Sequence, residues 1–390
     1  MKTSTERILV THVGSLARPT ELLELMKERE HDRPYDEDEL DRLITAAVED
    51  RVRKQVENGI DIVTDGEMSK VSFLGYVKDR LAGFEVDEEA TGAPAGSWQV
   101  EIEMFPEYYA EYMSKYSAAV SPLKRLKATG PVTYAGHELV QIDIDNLKSA
   151  ITTVESEGHT VTEAFLPSSG PSGFGANAYY KSHAEYLEAV AEAMREEYLA
   201  IVEAGFILQI DDPWLIEYLT APSLEWNDRV KGCEQHIEAL NHALRGIPAD
   251  TIRHHTCYGL NHGPRLTDVP MEKVAAFMLK VNAGAYSFEV ANPRHQHEYK
   301  IWEHIELPDD KVLIPGLIGH ANNYVEHEEL IAEYIVRYAD IVGRERVIAG
   351  ADCGFSSRAS YKPEVHPSVV WPKFEHLAMG ARIASEQLWP

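Results

Sequence analysis

A short apolar run followed by a helical stretch recurs along the chain, and that alternation narrows the fold more than any other feature. Eight such runs stand out: residues 7–15 (RILVTHVGS), 60–67 (IDIVTDGE), 126–133 (LKATGPVT), 206–213 (FILQIDDP), 251–259 (TIRHHTCYG), 285–292 (AYSFEVAN), 311–318 (KVLIPGLI) and 346–354 (RVIAGADCG). Most are β-branched or apolar early and end in Gly, Pro, Asn or a polar residue, as buried strands do. Between them lie helical patterns. Leu40, Ile44, Val48 and Val52 fall at steps of four, as do Tyr186, Val190, Met194 and Tyr198, so each set forms one apolar stripe. Gly205 is placed to end the second helix. Residues 269–281, with Pro270 near the start, and 328–342 follow the same logic. Strands alternating with helices pair in parallel through crossovers. Eight of them in 390 residues predict a single α/β domain over 1–390, a (β/α)8 TIM barrel; a doubly wound open sheet is the rival.

Two segments exceed an ordinary crossover. Residues 68–125 carry Tyr108, Tyr109, Tyr112 and Tyr116, and residues 152–182 include LPSSGPSGFGANAYY. Both are read as insertions in the loops that follow barrel strands, where long loops serve as lids or binding segments.

Composition limits the partners. With 37 Lys plus Arg against 64 Asp plus Glu, the formal net charge is −27. A chain this acidic repels phosphate backbones and anionic lipids, so neither nucleic acid nor a membrane surface is expected. No apolar run approaches the ~18 residues of a membrane span, and the apolar stretch near the N-terminus is too short for a signal peptide. Three cysteines cannot staple a fold of this size, so a reducing, cytoplasmic setting is the default.

In a barrel the reactive groups come from the carboxyl ends of the strands. Here those ends carry Gly14 and Ser15, then Asp65 and Glu67, Thr133, Asp211 and Asp212, His255 and Cys257, Glu289, His320, and Asp352 with Cys353. His255 and Cys257 are an i, i+2 pair, which faces one side of a strand. With Glu289 and Cys353 they make a donor set that suits zinc. The alternative at each position is structural: a buried Cys is often just a small hydrophobe, and a strand His a satisfied core residue. Cys233 lies in a helical stretch, apart from the others. Two thiolates and a carboxylate would bring −3 against +2. Such a centre is a poor activator of water but holds a thiol as thiolate, which favours alkyl transfer to sulfur over hydrolysis. Glu67 and Asp211 add negative charge that suits a thiol bearing an ammonium group.

The segments HVGS (12–15), DGE (65–67), TGPVT (129–133), QIDDP (209–213), HTCYG (255–259), SFE (287–289) and DCG (352–354) resemble, in order and over nearly the whole chain, the catalytic C-terminal barrel of the cobalamin-independent methionine synthase family. The resemblance implies a zinc held by His255, Cys257, Glu289 and Cys353. It also implies homocysteine contacts from Gly14, Ser15, Glu67 and Asp211, and attack of a zinc-bound homocysteine thiolate on a methyl group to give methionine. The family's second, N-terminal barrel is not present in this length, which leaves methyl-folate or a methyl-corrinoid as donor. The family's Asp-x-His after the seventh strand, linked to proton delivery, reads Gly319-His320-Ala321 here, so His320 is one residue out of register. It is kept as the catalytic candidate, with His262, His295 and His297 as substitutes. Expected partners are the small-molecule thiol and alkyl donor, with a homo-oligomer allowed. The barrel also resembles epoxyalkane:coenzyme M transferase, where the thiolate opens an epoxide. That alternative needs a cation for a sulfonate, for which Arg18, Arg253, Arg265, Arg294 and Arg358 are the candidates.

Overall fold

The computed structural model describes residues 1–87, 97–116, 118–121, 124–259 and 263–390. His262 and part of the 68–125 segment lie outside them. Among the described residues the strands are β1 (Leu9–Val10), β2 (Ile62–Val63), β3 (Leu81–Val86), β4 (Leu126–Tyr134), β5 (Glu163–Ser169), β6 (Gly175–Asn177), β7 (Ile207–Asp211), β8 (Ile252–His255), β9 (Ala285–Glu289), β10 (Val312–Ile318) and β11 (Ile348–Ala351). Eight of them form a parallel sheet in the order β1-β11-β10-β9-β8-β7-β5-β2. A parallel bridge from Thr11 to Ile62 brings β2 back to β1 and closes the ring. The fold is a TIM barrel.

The expected helices form for the expected reasons. Helix Glu37–Glu57 buries Leu40, Ile44, Val48 and Val52, and the Asp36 side chain accepts from Glu39 N. Helix His183–Glu203 buries Tyr186, Val190, Met194 and Tyr198 behind a Ser182 cap. Gly205 follows it at φ 92°, the left-handed turn that glycine tolerates.

One strand differs from expectation. Residues 126–133 are not the third barrel strand. β4 pairs antiparallel with β3 and parallel with β6 in a separate three-stranded sheet. The third stave is β5, inside the 152–182 stretch read as an insertion, and it pairs with β2 and β7. Thr133 therefore belongs to the accessory sheet, not to the barrel mouth.

The register positions the site. Ser169 pairs with Asp211, Asp211 with His255 and His255 with Ser287, so the ends of four adjacent staves share one row. Below that row Arg253 fills the barrel. Its guanidinium donates to Gln209 Oε1 at 2.7 Å and Thr11 Oγ1 at 2.9 Å and lies 3.4 Å from the Phe165 ring centroid. A cation stacked and bonded in this way serves as a packed floor. Leu9, Ile62, Phe165, Ile207 and Ile348 pack together inside the barrel.

Candidate metal centre and thiol pocket

At the carboxyl ends of the staves a cavity of about 50 Å³ is lined by Ser15, Glu67, Asp211, His255, Cys257 and Cys353, among others. The structure thus brings six of the nine sequence candidates around one cavity. Three of them converge further: a ring nitrogen of His255 and the sulfurs of Cys257 and Cys353 lie within 4.8 Å of one another. The two sulfurs come from separate staves, Cys257 just past the end of β8 and Cys353 just past β11.

His255 is in a state to bind a cation. His255 Nδ1 lies 3.2 Å from Ser287 Oγ, while buried Nε2 has no hydrogen-bond partner. Burial, and then the Arg253 charge, pull its pKa down to about 3, so the imidazole is neutral. The Cys353 thiol is held well above its ordinary pKa by its hydrogen bond with Cys257 and by burial. An orphaned imidazole nitrogen facing two thiols fits a divalent metal that prefers nitrogen and sulfur.

Glu289 stands beside this trio. Its Oε1 accepts from Tyr258 N at 2.8 Å and its Oε2 from Arg265 Nη2 at 3.3 Å. A carboxylate oxygen of Glu289 groups instead with His320 and Asp352, again within 4.8 Å. Asp352 accepts from the backbone of Val290, Ala291 and Asn292 at 2.7, 2.9 and 3.1 Å, which fixes the chain leaving β9. His320 is buried, with Nε2 3.3 Å from Gly259 O and Nδ1 unpartnered, and burial lowers its pKa.

Across the cavity, Glu67 sits at φ 58° after Gly66 at φ 69°. A non-glycine residue in the left-handed region marks stored strain. The turn is held by Asp65 Oδ1, which accepts from Glu67 N at 2.9 Å, and by Arg18, which donates to Glu67 O at 2.8 Å. Gly14, at φ 138°, makes room: a Cβ there would lie 3.1 Å from Glu67 Oε1. Gly354 similarly cradles Ser15, whose Oγ would be 1.9 Å from an added Cβ. Burial raises the pKa of Glu67, and burial with the nearby Glu67 charge raises Asp211 well above the carboxylate range. Glu67 Oε2 is buried without a partner. Two carboxyls pushed up together, one with a vacant oxygen, are a receptor for a cation.

Two networks behind the site were missed in the sequence. Asp212, fully buried, accepts from His236 Nε2 and His254 Nε2, each at 2.8 Å, and its N–H donates to His255 O at 2.8 Å. His236 Nδ1 lies 2.8 Å from Ser172 Oγ. His254 and His255 face opposite sides of β8, so strand alternation alone separates the imidazole beside the two thiols from the one bonded to Asp212. The second network holds Glu289. Arg265 bonds both Glu289 and, at 2.7 Å, Asp268, which also meets His295 Nε2 at 3.0 Å. His295 Nδ1 reaches Glu298 at 2.7 Å, and its ring stacks on Tyr258 at 4.0 Å. His295 is therefore an ionic tie, and His297 is exposed on the short helix Gln296–Glu303.

A TIM barrel whose mouth gathers an imidazole and two thiols opposite paired buried carboxyls defines a class: barrels that can seat a divalent metal beside a small cationic substrate. Comparison with known proteins identifies the family within that class. Residues 102–369 match the model of the cobalamin-independent synthase catalytic domain. The chain is 25% identical over 382 residues to a methionine synthase of Saccharolobus islandicus, covering 97% of this chain and 95% of that protein. It is 23% identical over 381 residues to the methionine synthase of Saccharolobus solfataricus. A B12-independent methionine synthase from Shewanella sp. W3-18-1, solved with selenomethionine, superposes with a TM-score of 0.72 at 20% identity, covering 98% of this chain and 99% of that one. The chain belongs to the cobalamin-independent methionine synthase family and is a methyltransferase.

Proposed function

We propose that this protein transfers a methyl group to the thiol of homocysteine, forming methionine, with zinc at the His255–Cys257–Cys353 centre and Glu289 as the fourth ligand. The observation that carries the reading is that the converged imidazole and thiols line the same cavity as Glu67 and Asp211. A zinc ion held there would supply the positive charge that keeps an incoming thiol deprotonated at neutral pH. The chain's own groups do the rest. Glu67, through its vacant oxygen, and Asp211 take the ammonium of the amino acid, and its arrival lets both carboxyls ionise. Ser15 orients the substrate from the first stave. Phe73 and Pro213 line the cavity and limit water at the sulfur. Each of these roles is a position held before substrate arrives, and preorganisation of that kind favours transfer.

The sulfonate-binding alternative needs a cation facing this cavity. Arg18 Nη1 and Nη2 donate to the carbonyls of Leu16, Ser356, Glu67 and Lys70, Arg253 is held in the barrel floor, and Arg265 is paired with Asp268 and Glu289. The pocket's carboxyls favour an amino-acid thiol. The test is incubation of the zinc-loaded protein with homocysteine and either methyl-folate or methylcobalamin. Methionine from one donor supports the reading; none from either overturns it.

A further inference from the structure

We propose that Phe73 sets the chain length of the acceptor thiol: its ring closes one side of the thiol pocket and rejects an amino-acid thiol one methylene longer than homocysteine. The proposal rests on the reading that places a thiol at the metal centre and its ammonium at Glu67 and Asp211. A pocket used in that way has two fixed ends. His255, Cys257 and Cys353 form one, and Glu67 with Asp211 the other. The barrel holds both. Asp211 and His255 share a row of the sheet, Gln209 Nε2 donates to Asp211 Oδ1 at 2.6 Å, and Asp65 and Arg18 brace the Glu67 turn. A ligand tethered at its sulfur and at its nitrogen is measured along its chain, so an extra methylene has to bulge sideways. Little space is there to take the bulge. The pocket, at about 50 Å³, has room for only about four waters at 10–15 Å³ each.

The sides of the pocket therefore decide what fits. Its apolar side chains include Val13 and Pro213, which follow β1 and β7 directly, and Phe73, which comes from the insertion after β2. Phe73 stands on a strap at the barrel mouth. There Ser72 and Arg358 form an antiparallel bridge, Phe73 N donates to Ser357 O at 3.3 Å, and Ala359 N donates to Val71 O at 2.8 Å. Gly75 N donates to Ser72 Oγ at 2.7 Å just beyond. Phe73 lines the thiol pocket, whereas Ser72 and Leu74 on either side of it line a separate cavity. Val71 and Leu74 pack with the main apolar core; among the described residues, Phe73 belongs neither to that core nor to the cluster inside the barrel. A half-buried aromatic ring set apart from both cores, on a strap fixed by backbone hydrogen bonds, serves the pocket it closes rather than the fold. Packing of this kind distinguishes ligands differing by one methylene by about 10- to 200-fold.

The test is calorimetric titration of the zinc-loaded full chain with homocysteine and with 2-amino-5-mercaptopentanoate, its homologue with one more methylene. The wild type should bind the longer thiol about 10- to 200-fold more weakly. Phe73→Ala should remove most of that difference by tightening the longer thiol, and Phe73→Leu should fall between the two. Elemental analysis shows whether each variant keeps its zinc. If Phe73→Ala does not, Phe73→Leu decides: it should narrow the difference, and the wild-type ratio in it would overturn the proposal. Equal affinities in the wild type, no binding of either thiol, or a difference that survives in zinc-replete Phe73→Ala would overturn it as well. Turnover separates the proposal from the reading beneath it. A wild type that makes methionine yet uses the longer thiol with the same kcat/KM would reject the length limit and keep methyl transfer. A wild type that binds the two thiols in the predicted ratio yet methylates neither would reject methyl transfer and keep the length limit.

Discussion

Replacing Glu67 by Gln should strengthen the empty protein and weaken its hold on substrate. Glu67 is 2% exposed, strained at φ 58°, and has one carboxylate oxygen without a partner. Its folded pKa is raised, chiefly by burial, so its charge costs stability, and the cost grows as pH rises above the unfolded value. Removing that charge at pH 7 should therefore raise the melting temperature of the substrate-free protein, by at most about 2 °C for each kcal/mol recovered at this chain length. Binding should move the other way. A hydrogen bond between charged groups contributes roughly 1.5–3 kcal/mol, so KM for homocysteine should rise roughly 10- to 150-fold. Thermal unfolding without substrate reads the first effect. Steady-state kinetics with homocysteine and with 4-mercaptobutyrate, which lacks the ammonium, reads the second. The amine-free thiol should be almost insensitive to the substitution. A variant that melts lower, or that keeps the wild-type KM for homocysteine, would refute the assignment of Glu67 as the ammonium receptor.

Three further outcomes are expected. Cys257→Ala and Cys353→Ser should each lose bound metal and activity together, whereas Cys233→Ser, whose sulfur lies in a helix 3.8 Å from Leu215 O, should keep both, as elemental analysis and turnover will show. Asp212→Asn turns one of the two accepting oxygens into an N–H donor, so either Trp214 N–H loses Oδ1 or the two imidazoles lose the Oδ2 they share, a loss of about 1–3 kcal/mol that urea unfolding should show. Unchanged stability would mean that none of these groups depends on the carboxylate. His295 has its pKa raised from 6.5 to about 9, through hydrogen bonds to Asp268 and Glu298 that outweigh its burial. Its contribution is therefore complete below about pH 6.5 and disappears as pH climbs through about 9, a span of about 3 kcal/mol at 1.36 kcal/mol per unit. Urea midpoints should fall across that window in the wild type and stay flatter in His295→Gln.

The barrel was legible because seven of its eight staves advertise themselves. The third did not. Residues 163–169 (EAFLPSS) carry a Pro and two Ser, whereas 126–133 look like a buried strand and are one, in the wrong sheet. Apolar patterning reports that a segment is extended; it does not report which strand it pairs with. The convergence of His255, Cys257 and Cys353 was legible for a firmer reason, since the i, i+2 pairing of the first two and the stave-end position of the third follow from strand geometry. Glu289 was legible as a stave-end carboxylate, but its tie to Arg265 was not, because that tie runs through a loop. The Asp212 hub and the ionic role of His295 were not legible for the same cause: the partners of Asp212 lie 24 and 42 residues away and the Asp268 partner of His295 lies 27 away, with no spacing rule to join them.

X-ray absorption at the zinc edge, on the purified protein before and after homocysteine is added, probes the metal–sulfur claim directly. The predicted shell has two sulfurs at about 2.3 Å and nitrogen or oxygen at about 2.0–2.2 Å, gaining a third sulfur when the thiol arrives. A shell of nitrogen and oxygen alone, or one that ignores the thiol, would contradict it.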